Sequence, residues 1–141
     1  MATQEIDYIA KARRVMLRQD HDMFIPKDMH DQAFARAMAI IPPYFQLTDK
    51  RVMARDQHAE VTTVRSLVIS TLVHMGLPIR KVARLLGKNP ATIMSSMDRT
   101  YVERFGPAEK EQHVDRNARH YETGTQAVAE FIKWYYNKTG R

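Results

Sequence analysis

The sequence predicts an all-α fold: a helix-turn-helix domain with additional helices at its N- and C-terminal ends. Three observations carry that reading. Apolar residues recur at i, i+3, i+4 and i+7 in one segment after another, the period of an amphipathic helix. Glycine and proline are sparse, five and six in 141 residues, while methionine, a residue that suits helices, occurs nine times. Residues 79–104, IRKVARLLGKNPATIMSSMDRTYVER, read as two helices joined by a tight turn.

The elements follow in order. A first helix is expected over about residues 4–19, with Ile6, Ile9, Ala10 and Met16 inward and Arg13, Arg14 and Arg18 outward. The stretch Gln19–Pro26 breaks it. A second helix starts near Asp28, buries Phe34, Ala37, Met38 and Ile41, and stops at Pro42-Pro43, which cannot continue it. Thr48 or Asp49 caps a short helix through about Asp56. A longer one carries Val64, Leu67, Val68, Thr71, Leu72 and Met75 at helical spacing and ends at Gly76. Residues 108–121 are polar and weakly periodic. The last helix, about 125–138, presents Val128, Ala129, Ile132, Tyr135 and Tyr136 on one side.

Within residues 79–104, Ile79, Val82, Ala83 and Leu86 form one apolar stripe. Gly87 follows where a helix often ends in a positive-φ residue. Asn89 is a strong N-cap and Pro90 suits the first turn, where its missing N–H is not needed. The second helix, 90–104, is expected to bury Ile93, Met97 and Tyr101. Its opposite face carries Thr92, Ser95, Ser96 and Arg99. A small hydroxyl-rich face with one arginine suits entry into a DNA major groove.

Charge is concentrated in the same place. The chain is formally +6, with 22 basic and 16 acidic side chains, and residues 50–105 alone hold ten basic against four acidic. Residues 1–49 are net −1 and residues 106–141 net +1. A polyanion attracts such a patch through phosphate neutralisation and counterion release. One domain with a core that folds without staples is expected at this length. Without cysteine there is neither a disulfide framework nor a thiolate metal site. No apolar run approaches a membrane span and the charged N-terminus does not read as a signal peptide, so a cytoplasmic, nucleoid-associated protein is expected.

From Tyr44 to about Glu103 the chain resembles the C-terminal duplex-binding domain of the bacterial replication initiator DnaA, in the Trp-repressor-like helix-turn-helix group. The resemblance starts at Tyr44-Phe45-Gln46-Leu47-Thr48, similar to an aromatic pair before a short helix, and runs through Val52, Met53 and the Arg51/Arg55 neighbourhood. Arg65 opening VRSLVISTLV is similar to the family's Arg-Gln-hydrophobic helix start. Leu77-Pro78, Val82-Ala83 and Leu86-Gly87 match its first motif helix. Lys88-Asn89-Pro90-Ala91-Thr92-Ile93 takes the place of its signature Arg-Asp-His-Thr-Thr-Val. In the family the Asp, His and first Thr of that signature contact bases, and here those places hold Asn89, Pro90 and Ala91. The family's minor-groove arginine aligns near Gln57-His58. With no GxxxxGK[ST], the expectation is a stand-alone duplex-binding domain without the ATPase.

The segments are then 1–43, an N-terminal helical extension packing on the core; 44–105, the DNA-binding core; and 106–141, a C-terminal helical extension, in one compact domain. The DNA-binding candidates are Lys88, Asn89, Ala91, Thr92, Ser95, Ser96, Arg99, Arg65, Lys50, Arg51 and Arg55. Ala91 and Thr92 offer methyl groups to a thymine C5-methyl, and Ser95 and Ser96 can donate to phosphates or base edges. Arg99 pairs with guanine if it reaches inward and clamps phosphate if it does not. Asn89 serves as a cap or as a base contact. Lys88, Lys50, Arg51 and Arg55 are phosphate candidates; Arg65 is another, or else an exposed helix-start residue.

The expected function is non-enzymatic: a double-stranded DNA-binding regulator of replication or transcription, bacterial or phage, without cofactor, with replication or transcription proteins as further partners. The altered signature motivates an alternative, a protein-binding adaptor that reuses the fold. Asp20-His21-Asp22 and Asp28-Met29-His30-Asp31 gather two histidines and four carboxylates. The simpler account of them is a polar loop followed by an acid-rich helix start, with Asp28 as the cap and Asp31 favoured by the macrodipole, and no metal is expected.

Overall fold

The computed structural model describes residues 6–17, 19–20, 23–55, 58–98 and 114–140, and among them every regular element is helical. The α-helices are α1 (Tyr8–Met16), α2 (His30–Ile40), α3 (Asp49–Met53), α4 (Ala59–His74), α5 (Ile79–Leu86), α6 (Pro90–Asp98) and α7 (Val114–Thr139). Short 3-10 turns at Lys27–Met29 and Pro42–Phe45 precede and follow α2.

The axis of the molecule is α4. From Val61 to Leu72 it buries Val61, Thr63, Val64, Arg65, Ser66, Leu67, Val68, Ile69, Thr71 and Leu72, so it is covered on nearly every side. Two of its buried hydroxyls are satisfied within the helix, Thr63 donating to the Ala59 carbonyl (2.6 Å) and Thr71 to that of Leu67 (2.7 Å), whereas the buried Ser70 hydroxyl has no partner among the described residues. Around it pack α1, α2, α3, α5 and α6, while α7 lies against α1 and α2. All three sequence segments feed one apolar cluster, with Ala12, Ile25, Ala37, Val52, Ile69, Ile93 and Phe131 each at 0 % exposure.

Local sequence explains most element ends. Asp7 caps α1 by accepting from the Ala10 N–H (3.0 Å), and Thr48 caps α3 by accepting from Arg51 N–H (3.1 Å). The expected inward set on α1 is rotated. Ala12, Val15 and Met16 are buried and Tyr8 packs against the core, whereas Ile9 is exposed and Ile6 and Ala10 are half-buried. The register follows Tyr8, whose ring meets that of Tyr136 on α7 at 5.9 Å. Asp28 does not cap α2: it lies inside the preceding 3-10 turn. At the other end, α7 begins at Val114, about ten residues before the helix read from the sequence. It passes through buried Gly124, a substitution for alanine that costs a helix about 1 kcal/mol and is outweighed here by packing.

Gln46 closes the Pro42–Phe45 turn in the left-handed region at φ 60°. An L-residue with a Cβ is disfavoured there by about 1 kcal/mol or more, against the extra unfolded-state freedom that glycine brings. Gln46→Gly is therefore expected to leave stability unchanged or raise it by up to about 1 kcal/mol in urea denaturation. A loss of that size would show that the glutamine side chain holds the turn.

The described part of the linker between α1 and α2 is fastened to the end of α4 and to α7. Ile25 N–H donates to the Met75 carbonyl (2.8 Å), and His30 Nε2 donates back to the Ile25 carbonyl (3.0 Å). Tyr135 hydroxyl donates to the Phe24 carbonyl (3.0 Å), and His74 Nε2 bonds the Asp20 carbonyl. Gly76 sits at φ 109° beneath the Phe24 ring, where an added Cβ would lie 2.8 Å from two ring carbons. The linker thus braces the corner from which α5 departs.

Candidate nucleic-acid interface

Helix α5 presents Val82, Ala83 and Leu86 to the core and leaves Arg80 and Arg84 exposed. It ends at Gly87, φ 66°, in the expected way: the Gly87 N–H donates to the Arg84 carbonyl (3.2 Å) and the Lys88 N–H to the Ala83 carbonyl (2.9 Å). Asn89 then caps α6, its side-chain oxygen accepting from the Ala91 N–H (2.9 Å) and its carbonyl from the Ile93 N–H (3.2 Å). Of the two roles open to Asn89, the capping one is occupied. Pro90 stands first in α6, where no N–H is required.

The rotation of α6 is fixed by Ile93, fully buried, and by Met97, which packs on the core. Ala91, Thr92 and Ser95 are exposed as expected. Ser96 is half-buried and leans toward the protein. In its stead Met94, 56 % exposed, belongs to the outward band. Hydrophobic spacing alone gives Met94, next to buried Ile93, no face. The helical angle supplies the clue, since residue 94 lies about 100° around the helix from Ile93, the centre of the buried sector. Arg99, Tyr101 and Arg104 lie outside the described residues.

Lys50, Arg51 and Arg55 are exposed on and just after α3. Arg65 is neither at a helix start nor exposed. It is inside α4, 6 % exposed, with Nε donating to the Val52 carbonyl (2.7 Å) and Nη2 to the Ala54 carbonyl (2.9 Å). The guanidinium thereby closes the C-terminal end of five-residue α3, where carbonyls lack helical partners and a cation is favoured. Its charge still reaches outward. Burial lowers the Lys88 ammonium below the ordinary lysine value, and repulsion from Arg65 and Arg55 lowers it further. Lys88, in the turn before α6, therefore lies within the field of the Arg65 and Arg55 charges.

Comparison with protein families, curated proteins and solved structures finds no match to the chain.

The described acidic and histidine residues near the N-terminus do not share a centre. Asp20 is buried and pairs with Lys11 (3.1 Å) and Arg14 (3.6 Å), His30 bonds a backbone carbonyl, and Asp31 is exposed in the first turn of α2. His21 and Asp22 lie outside the described residues. Among the described residues no three His, Asp or Glu side chains are placed to hold a metal ion. Asp31 instead takes Lys81 of α5 in an ion pair (2.6 Å), whose hydrogen bond and charge hold its carboxyl below the usual range. Lys81 is thereby turned toward α2. Trp134 and Tyr135 also serve the core, Trp134 stacking on Phe131 at 5.6 Å and Tyr135 being 1 % exposed. Among the described residues no helix is long and apolar enough to cross a membrane.

Proposed function

We propose that this chain is a non-enzymatic, double-stranded DNA-binding regulatory protein in which α5, the Gly87–Asn89 turn and α6 act as a helix-turn-helix. The carrying observation is the outward band of α6, Ala91, Thr92 and Ser95 around Met94, preceded by a turn whose Lys88 feels the charges of Arg65 and Arg55. A phosphate at that corner relieves the repulsion among the three cations and gains from the helix N-terminus. With Lys88 and Arg55 on the backbone, and Lys50 and Arg51 on the exposed turn of α3, Ala91, Thr92 and Ser95 face the floor of the major groove. The order of elements supports likeness to the DnaA C-terminal domain and its Trp-repressor-like group. The proposed setting is bacterial or phage replication control or transcription, on the nucleoid, alongside replication or transcription proteins.

The test is affinity for mixed-sequence duplex as a function of salt. A slope of about 0.9 in log K against log salt is expected for each phosphate neutralised. Absence of binding at low salt, or a flat response, would overturn the proposal and leave the adaptor reading, which rests on the replaced signature positions 89–91.

Lys88 permits a second check because its charge opposes folding. A lysine lowered in the folded state favours its neutral form there, so its destabilising effect is present at neutral pH and fades as pH rises toward 10.5. Lys88→Gln is accordingly expected to raise the thermal midpoint by about one to two degrees near pH 7. The same variant should weaken binding to all sequences about equally and reduce the salt slope by about 1. A thermal midpoint that falls, or a loss confined to one sequence, would contradict the phosphate role.

A further inference from the structure

Resting on the DNA-binding reading, we infer that Met94 is a base-reading residue that, together with Ala91, selects thymine through its C5-methyl group. Among the described residues of α5 and α6, Met94 is the one large apolar side chain classed as exposed, at 56 %. It cannot turn inward without expelling Ile93, which is at 0 % exposure, so its outward position is set by the packing of α6 on α4. Ala91 and Met94 are three residues apart and therefore adjacent on the helix surface, giving an apolar strip beside Thr92 and Ser95.

The charge around the strip identifies its occupant. Arg80 and Arg84 are exposed on α5, Lys50, Arg51 and Arg55 are exposed on and after α3, and residues 50–105 are net +6. A polyanion with apolar groups in reach fits both features. The major groove of duplex DNA offers one such group, the methyl of thymine. Methionine reaches it well, being long, unbranched and polarisable, and it loses exposed apolar surface on contact.

The experiment uses the full chain and the duplex that it selects from a random pool at low salt. Each thymine of that site is replaced singly by deoxyuridine, which removes only the C5-methyl. Affinities are compared for the natural sequence and for Met94→Ala. The natural protein is expected to lose about three- to tenfold at one thymine position. Met94→Ala should lose a similar factor on the unmodified site, lose nothing more on the uridine duplex at that position, and keep its salt slope. Helical circular dichroism and the thermal midpoint of the variant should match the parent, because Met94 is exposed. If Met94→Ala binds as tightly as the parent, or remains sensitive to every uridine replacement, the Met94 assignment falls while duplex binding stands. If no duplex is retained even at low salt, the DNA reading fails first and the assignment fails with it.

Discussion

Arg65→Met is expected to lower folding stability by about 3 kcal/mol in urea denaturation. Methionine keeps the apolar stem of the side chain and ends about where the guanidinium begins, so the loss reports the guanidinium. Two carbonyls, those of Val52 and Ala54, lose a charged donor in a place where Arg65 itself is only 6 % exposed. A hydrogen bond to a charged group contributes about 1.5–3 kcal/mol, and an abandoned buried carbonyl adds its own desolvation penalty. Arg65→Lys should recover only part of the loss, because an ammonium lacks the planar fork that reaches two carbonyls two residues apart. Duplex binding by the folded fraction should weaken as well, since the end of α3 carries Arg51 and Arg55. A loss below about 1 kcal/mol for Arg65→Met would mean that α3 is held by Val52 alone.

Arg65 also marks the limit of what local sequence encodes. The turn between α5 and α6 was legible because every signal is local: Gly87 supplies the positive φ, Asn89 caps two residues ahead, and Pro90 opens the next helix. Likewise the buried positions of α4 follow from helical spacing, and all of Val64, Leu67, Val68, Thr71 and Leu72 are inside. The role of Arg65 depends instead on carbonyls 11 and 13 residues earlier in the chain. An arginine within an apolar run does not announce such partners, and α4 opens at Ala59 without a capping side chain at His58 to fix its start. Ser96 leaves the exposed band for a related reason: about 60° around the helix from Ile93, it lies at the flank of the buried sector, and the contact of α6 with α4, which is tertiary, decides its side. On α7, the polar run before Tyr121 hid the helix, because packing of its later turns on α1 and α2 stabilises a segment whose own periodicity is weak.

Asp20→Asn is expected to cost about 2 kcal/mol near neutral pH. The Asp20 side chain is 2 % exposed between Lys11, 14 % exposed, and Arg14, 47 % exposed. Removing its charge leaves Lys11 facing the Tyr136 ring at 5.6 Å without its anion, whereas Arg14 can turn to water and moderates the cost. The pH dependence separates this ion pair from a general packing defect. Burial pulls the Lys11 ammonium down, yet its hydrogen bonds to Tyr136 and Asp20 outweigh that and hold it above the ordinary lysine value. A raised lysine contributes stability that is fully present below about 10.5 and is lost as pH climbs through its folded value. The gap between parent and Asp20→Asn should therefore stay constant from neutral pH to about 10 and narrow above it. A gap that closes by pH 9, or persists undiminished in strong alkali, would show that the carboxylate acts through something other than Lys11. The consequence for the interface is indirect: Asp20 and its carbonyl hold the linker on α1 and His74, and that linker braces the corner at Met75 and Gly76 from which α5 leaves. Ile93, Val82 and Leu86 anchor the two-helix unit separately, at 0–4 % exposure. The folded fraction of Asp20→Asn should therefore lose less in duplex affinity than the protein loses in stability.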